Sequence, residues 1–499
     1  MEKSKVFKLK SKFFIYRVIS YFSFLLIPIW ATKLEGAGMA LQMPTTLLYI
    51  FFMVGQWFLL GKEIDYRLKI YFHVNSSIDR VIYRILLGKL TMLLYFGLLG
   101  LLAPSVLKYF FWGTWLLLGL FYSWPTRGKI IRESLVSNFT EFRFLSYLEK
   151  TVVVLCILLF LISIPKFPGL VNVEALKLVL DPHEKMAQLF WNFMHITYFP
   201  FYKYPLIYKT AWNLHFYCIG LIILVLTFYS LSRYFFFRRV SILGIFALLS
   251  SWSYPKLLAL NLHWAITSTF LVTWIWAILW ATQSRTYRCG FFLGLLSFWG
   301  TLINPSYFFL MPIQIFLLYF IFFRNQTTWF KVQVLKYMSI GAGLSLMAFI
   351  SRLESFLWIE GIGIQDIFSQ VMNAIKGKAF FLLSLFGIIL ISLKLYVEIF
   401  KKNYAFIQDW RIDVVKLKEF SICIFIVTSF SFFFDSLLFY GFSVLWLVCL
   451  LSLVPVEWIF QSLARLHSKR NLIYGIYILV CLLDSHIEGR LKILMGILR

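Results

Sequence analysis

Asp181 and Glu184 stand three residues apart in the tetrapeptide Asp181-Pro182-His183-Glu184. That spacing puts both carboxylates on one face of a helix. A carboxylate beside an apolar boundary is harder to ionise and can take a proton from a hydroxyl. The same four residues also read as a helix start, with Asp181 as N-cap and Pro182 at the first helical position. The two readings are compatible, and the pair is the candidate catalytic group. Arg352 and Glu354 open a second polar segment. An arginine there can grip a phosphate through two parallel N–H donors, or it can snorkel to a membrane interface beside a nearby acid. Asp435, near the end of an apolar run, reads equally as a functional ionisable group or as the mark of a hairpin turn. His195, His215 and His263 sit among aromatic and apolar residues. None has an acid three or four residues on, the spacing a metal site would use. They read as packing histidines, with a binding role left open for His263 beside Asn261.

The elements that position these residues follow from composition. The chain has 499 residues, of which 61% are hydrophobic, 20% aromatic and only 14% charged. Its mean hydropathy is +0.81. Ordinary soluble domains carry about 25% charged residues, so the solvent for this much apolar surface is lipid. Inside lipid every backbone polar group needs an internal partner, which leaves helices or a closed barrel. The apolar runs are continuous rather than alternating, which selects helices. The fold class is therefore all-α, a polytopic helical membrane bundle. Spans are predicted at 14–32, 44–61, 85–103, 105–124, 151–165, 213–232, 240–255, 262–281, 289–304, 306–323, 334–350, 379–397, 420–436, 437–454 and 471–484, about fifteen in all.

The net charge of +26 would suggest nucleic acid in a soluble protein. In a membrane protein it reflects the enrichment of Lys and Arg in cytoplasmic loops, where they also favour anionic headgroups. No nucleic-acid partner is predicted. With the N-terminus and its five early lysines inside, the connections 62–84, 125–150, 233–239, 282–288, 324–333, 398–419 and 455–470 fall inside too. That side then holds most of the 48 Lys and Arg. The side of the C-terminal tail stays open. The six cysteines are scattered and form no CxxC, so neither a metal site nor a disulfide framework is indicated. The first apolar run lacks a small-residue cleavage site and reads as a retained span.

Two outer loops stand out, 166–212 and 351–378. Both are aromatic, with apolar residues at helical spacing, and read as helices in the membrane interface. The inner segment 124–150 reads as a basic amphipathic helix. Residues 1–150 form a candidate accessory unit of four spans ending in that helix, ahead of a core over 151–499. Within the core, Gly290 and Gly294 are four residues apart, the spacing that lets two helices approach closely. Asn304-Pro305 ends their span.

The order of elements resembles the multi-spanning glycosyltransferases of the GT-C superfamily, of the protein mannosyltransferase and aminoarabinose transferase types. An outer loop bearing acids (Asp181, Glu184) is followed by Lys203-Tyr204-Pro205 and a span ending in Ser230–Arg239. The pair of spans Gly290–Pro312 then stands where the family has its glycine-rich span pair. The resemblance covers about 151–325. It departs from the family pattern in two places. Asp181 lies well into its loop, and Asn261 and His263 stand where the family often has a second acid. The resemblance implies transfer of a sugar from a polyprenyl-phosphate-linked donor to an acceptor on the outer face of the membrane. Asp181 or Glu184 would deprotonate the acceptor hydroxyl. Arg352, with Glu354 beside it, and outer lysines such as Lys203 or Lys209 would bind the substrate and steady the leaving phosphate, and His263 is a further binding candidate. Membrane lipid and the polyprenyl-phosphate donor are the implied partners. The cofactor stays open, a divalent metal being compatible with the chemistry though no ligand spacing indicates one. The location implied is the inner (plasma) membrane of a bacterium. The competing class is a non-enzymatic transporter or lipid-handling protein. A membrane acyltransferase or carboxylase-like enzyme relying on His263 is a third.

Overall fold

The structure, a computed structural model, describes residues 2–32, 39–69, 77–124, 145–163, 185–250, 262–284, 286–353, 379–400, 410, 412–434, 444–463 and 467–483. Among the described residues every regular element is a helix. The first four are α1 (Glu2–Thr32), α2 (Met39–Leu68), α3 (Ser77–Leu102) and α4 (Leu107–Ser123). They are followed by α5 (Tyr147–Ser163), α6 (Lys185–Thr197) and α7 (Pro205–Leu214), and a π-helical turn His215–Ile219 joins α7 to α8 (Gly220–Phe235). Then come α9 (Arg238–Ser250), α10 (Leu262–Gln283), α11 (Cys289–Ile303) and α12 (Leu310–Phe316). The last five are α13 (Thr328–Ile350), α14 (Ala379–Phe400), α15 (Val414–Phe434), α16 (Val444–Ser462) and α17 (His467–Leu483). Each of the predicted apolar runs falls on helix over its described residues, to within a residue at its ends. The chain is an all-α integral membrane protein.

Among the described residues six stretches are long and apolar enough to cross a membrane: Pro44–Leu68, Ser77–Leu102, Thr210–Phe235, Pro305–Phe322, Thr328–Ile350 and Leu382–Phe400. Large apolar side chains on helix flanks, among them Trp30, Leu102, Leu117, Leu382 and Phe425, are exposed. In a membrane protein this is the surface that lipid covers. Inside, one apolar core runs from Leu25 to Cys481 and joins α1–α4 to the later helices.

Helix approach is set by glycine where backbones touch. A Cβ on Gly290 or Gly294 would fall within contact of the Val334 or Met338 carbonyl oxygen of α13. These are the residues whose spacing predicted a close crossing. The same device brings α2 against α3, where a Cβ on Gly88 would overlap the Trp57 carbonyl oxygen. The Asn304-Pro305 break acts as its sequence requires. Asn304 is extended (φ −139°, ψ 119°), and its side chain accepts from the Ser306 amide to start a 3₁₀ turn with Pro305 in the first position. Residues before proline are driven out of the helical region, and asparagine caps the next start.

The described part of the loop 166–212, predicted to lie outside, folds as predicted into helix, as α6 and α7. Its aromatic side chains turn into the bundle: Trp191, Phe193, Tyr198 and Trp212 are buried. Gly97 and Gly100 of α3 make room for Leu189 and Asn192 of α6. Most of the predicted amphipathic segment 124–150 (residues 125–144) and most of the predicted loop 351–378 (residues 354–378) lie outside the described residues.

Candidate functional site

Helix α3 begins eight residues before the apolar run that marks its span, because its charged first turns are held inside the bundle. Asp79 accepts from the Trp276 indole N–H at 2.9 Å and from the Ser230 and Tyr234 hydroxyls. That carboxylate ties α3 to α8 and α10. Arg84 Nε donates to Asp65 Oδ2 at 2.9 Å, both side chains being buried, and this pair ties α3 to α2. The extension moves Lys89 from the edge of a predicted span to the middle of a 26-residue helix.

Lys89 is buried, 9% exposed. Its ammonium lies 5.1 Å from the centre of the Trp299 ring and 5.7 Å from that of Trp57. Ring faces attract a cation more strongly when water is excluded. Among the described residues Lys89 has neither a carboxylate nor a hydrogen-bond partner. It lines a cavity of about 50 Å³ with His215, Phe216, Thr269, Thr273 and Trp299. That volume exceeds the roughly 10–15 Å³ one water requires. His215 is fully enclosed. Its Nδ1 is 2.6 Å from the Tyr198 hydroxyl, and its Nε2 has no hydrogen-bond partner. The backbone places this ring in the wide π turn His215–Ile219. Such turns bulge a helix and recur at functional sites. No carboxylate of the described residues lines the cavity. Its chemistry is that of an anion receptor: one ammonium, one imidazole nitrogen and aromatic walls.

Of the residues singled out by sequence, His215 lines this cavity. Asp181, Glu184 and Glu354 lie outside the described residues, as does Asp435. Lys209 lies in α7 and His263 in the first turn of α10; their side chains are not among those described. Lys203 is exposed in the turn before α7. Arg352 is buried, and its Nη1 donates at 2.8 Å to the Leu302 carbonyl near the end of α11. A cation at a helix C-terminus satisfies orphan carbonyls and the helix dipole. His195, half-buried, has its Nδ1 2.5 Å from the Tyr208 hydroxyl and lies parallel to that ring. Burial lowers its pKa, which suits a neutral packing histidine.

Sequence reading missed Lys89 and the role of His215. The available signal was a single charge inside an apolar run, counted there as a flank. Among the described residues no group of three or more His, Cys, Asp or Glu gathers as metal ligands would. Compared with family models, with curated proteins and with solved structures, the chain matches none.

Proposed function

We propose that the protein receives the anionic group of a membrane amphiphile against Lys89, and that its reaction is transfer of a sugar from a polyprenyl-phosphate donor to an acceptor at the outer face. The observation that carries the first part is the buried ammonium, which has no counter-charge among the described residues. An ionised side chain at membrane depth is expensive, and such residues mark substrate sites. Burying the charge is compensated when a ligand brings the opposite one. The cavity of about 50 Å³ beside Trp299 and Phe216 leaves room for a small anionic group such as a phosphate or carboxylate.

The second part rests on the order of spans and loops. In that reading Asp181 or Glu184 removes the acceptor's hydroxyl proton. The acceptor oxygen bonds to the anomeric carbon as the bond from that carbon to the phosphate oxygen breaks. Polyprenyl phosphate leaves with the extra negative charge, which a cation steadies. The competing reading, a transporter or lipid-handling protein, draws support from the absence of a carboxylate among the described residues lining the cavity.

The deciding experiment uses the full chain in nanodiscs. Polyprenyl phosphate binding is measured for the wild type and Lys89→Met, and sugar transfer for the wild type and Asp181→Ala/Glu184→Ala. Loss of binding in the lysine variant, with transfer abolished in the double variant, is the expected result. Undiminished binding by Lys89→Met removes the anion site. Binding without any transfer by the wild type leaves the non-enzymatic reading.

A further inference from the structure

At one end of the bundle, three connections that the basic-loop rule assigns to the cytoplasmic side meet. Arg238, at the start of α9, donates to both Glu149 carboxylate oxygens, at 3.0 and 3.3 Å. The Phe237 amide donates to Glu457 of α16 at 3.1 Å, and Arg470 of α17 donates to the Phe460 carbonyl. Between them opens a cleft of about 410 Å³ lined by Arg233, Phe237, Arg238, Arg239, Phe460 and Arg470. A second cavity of about 290 Å³ shares Arg239 and Phe460 and continues to Tyr147 and Tyr474.

Its charges do not balance. Glu149 is taken by Arg238. Glu457 is occupied by the Phe237 amide and by Gln461. Arg233 spends one Nη on the Phe236 carbonyl, and its buried Nε has no hydrogen-bond partner. Arg239 has neither a hydrogen bond nor an ion pair among the described residues. Among the described residues four guanidiniums stand against two carboxylates, a balance that favours an anion, and a guanidinium fork matches a phosphate. The rim says where that phosphate comes from. Phe237 and Tyr147 are exposed beside the arginines, a pairing of aromatic and cationic side chains that belongs at the headgroup level of a bilayer.

We infer that this cleft is a binding site for the phosphate headgroup of an anionic phospholipid, held by Arg239, Arg233 and Arg470 with its acyl chains along Phe237. The site is separate from the Lys89 cavity and stands whether or not the protein transfers a sugar.

Native mass spectrometry of the detergent-purified full chain tests it, with phosphatidylglycerol, phosphatidylcholine and glycerol phosphate as probes. Phosphatidylglycerol binds the wild type and phosphatidylcholine binds at least about fivefold more weakly, the weight of one basic side chain at a membrane surface. Arg239→Gln loses about fivefold for phosphatidylglycerol by the same measure, and Arg239→Lys keeps most of it. Rising salt weakens phosphatidylglycerol binding selectively. Because Arg239 makes no hydrogen bond or ion pair with the described residues, the glutamine variant keeps its fold. Equal binding of the two lipids, or full phosphatidylglycerol binding by Arg239→Gln, overturns the inference. So does competition by glycerol phosphate at equal concentration, which would make the ligand a soluble phosphate instead of a lipid.

Discussion

Arg84 and Lys89 lie five residues apart on α3, and their surroundings are opposites. Arg84 points to Asp65 across the α2–α3 seam, in a pair closed at 2.9 Å and removed from solvent. Lys89 points into a cavity, between two indole rings, with no acid in reach among the described residues. One helix thus carries a cation that holds two helices together and a cation with no hydrogen-bond or ion-pair partner among the described residues. A paired buried charge depends on its partner, since removing either side strands the other. A buried charge without a partner contributes little that an apolar side chain of similar length would not. It is the one whose presence asks for a ligand.

This contrast can be broken by measurement. Asp65→Ala strands Arg84 and is expected to lower stability by about 3–5 kcal/mol, read as thermal or denaturant unfolding in detergent. A loss under about 1 kcal/mol would mean the pair is not what joins α2 to α3. Gly88→Leu attacks the seam without touching a charge. It drives a side chain into the Trp57 backbone and costs about 1–3 kcal/mol by overpacking, and it weakens ligand binding at Lys89 by moving the Trp57 ring. Unchanged stability and binding together would contradict the close approach.

Glu149 gives a graded version of the paired case. Burial raises its pKa, but hydrogen bonds from Ser146 and the charge of Arg238 outweigh that and hold its carboxyl below the usual range. A depressed folded-state pKa contributes stability that is present above the unfolded value, near 4.3, and is lost as pH falls toward and through the folded value. Arg238 is 31% exposed, so Glu149→Gln costs only about 1 kcal/mol at neutral pH after screening. The variant also flattens the fall in melting temperature below about pH 4. An identical acid profile in wild type and variant would show that this pair has no part in acid stability. The smallest stability effect belongs to Lys89→Met, which is neutral or slightly stabilising while abolishing anion binding. A loss as large as that of Asp65→Ala would erase the distinction between the two cations.

Much of the architecture was legible along the chain. Continuous apolar runs placed the helices, the Gly290–Gly294 spacing predicted a close crossing on α11, and Asn304-Pro305 marked the break after it; that α13 is the partner was shown only by the structure. The site was not. Lys89 reads as a flank when hydropathy sets the span at 85–103. It becomes central only because Asp79 and Arg84 find partners on α8, α10 and α2, which lets the helix begin at Ser77. The partner of His215 is Tyr198, seventeen residues back and across a helix connection, beyond any local spacing rule.

Composition and periodicity by themselves decided that this protein lives in lipid as helices, because backbone polarity and apolar area leave no other solution in a bilayer. Which charges are answered within the protein, and which face an open cavity, was decided only by packing. That depends on residues far apart in sequence meeting across helix seams, where a few ångströms separate an ion pair from an ammonium set between indole rings beside a cavity.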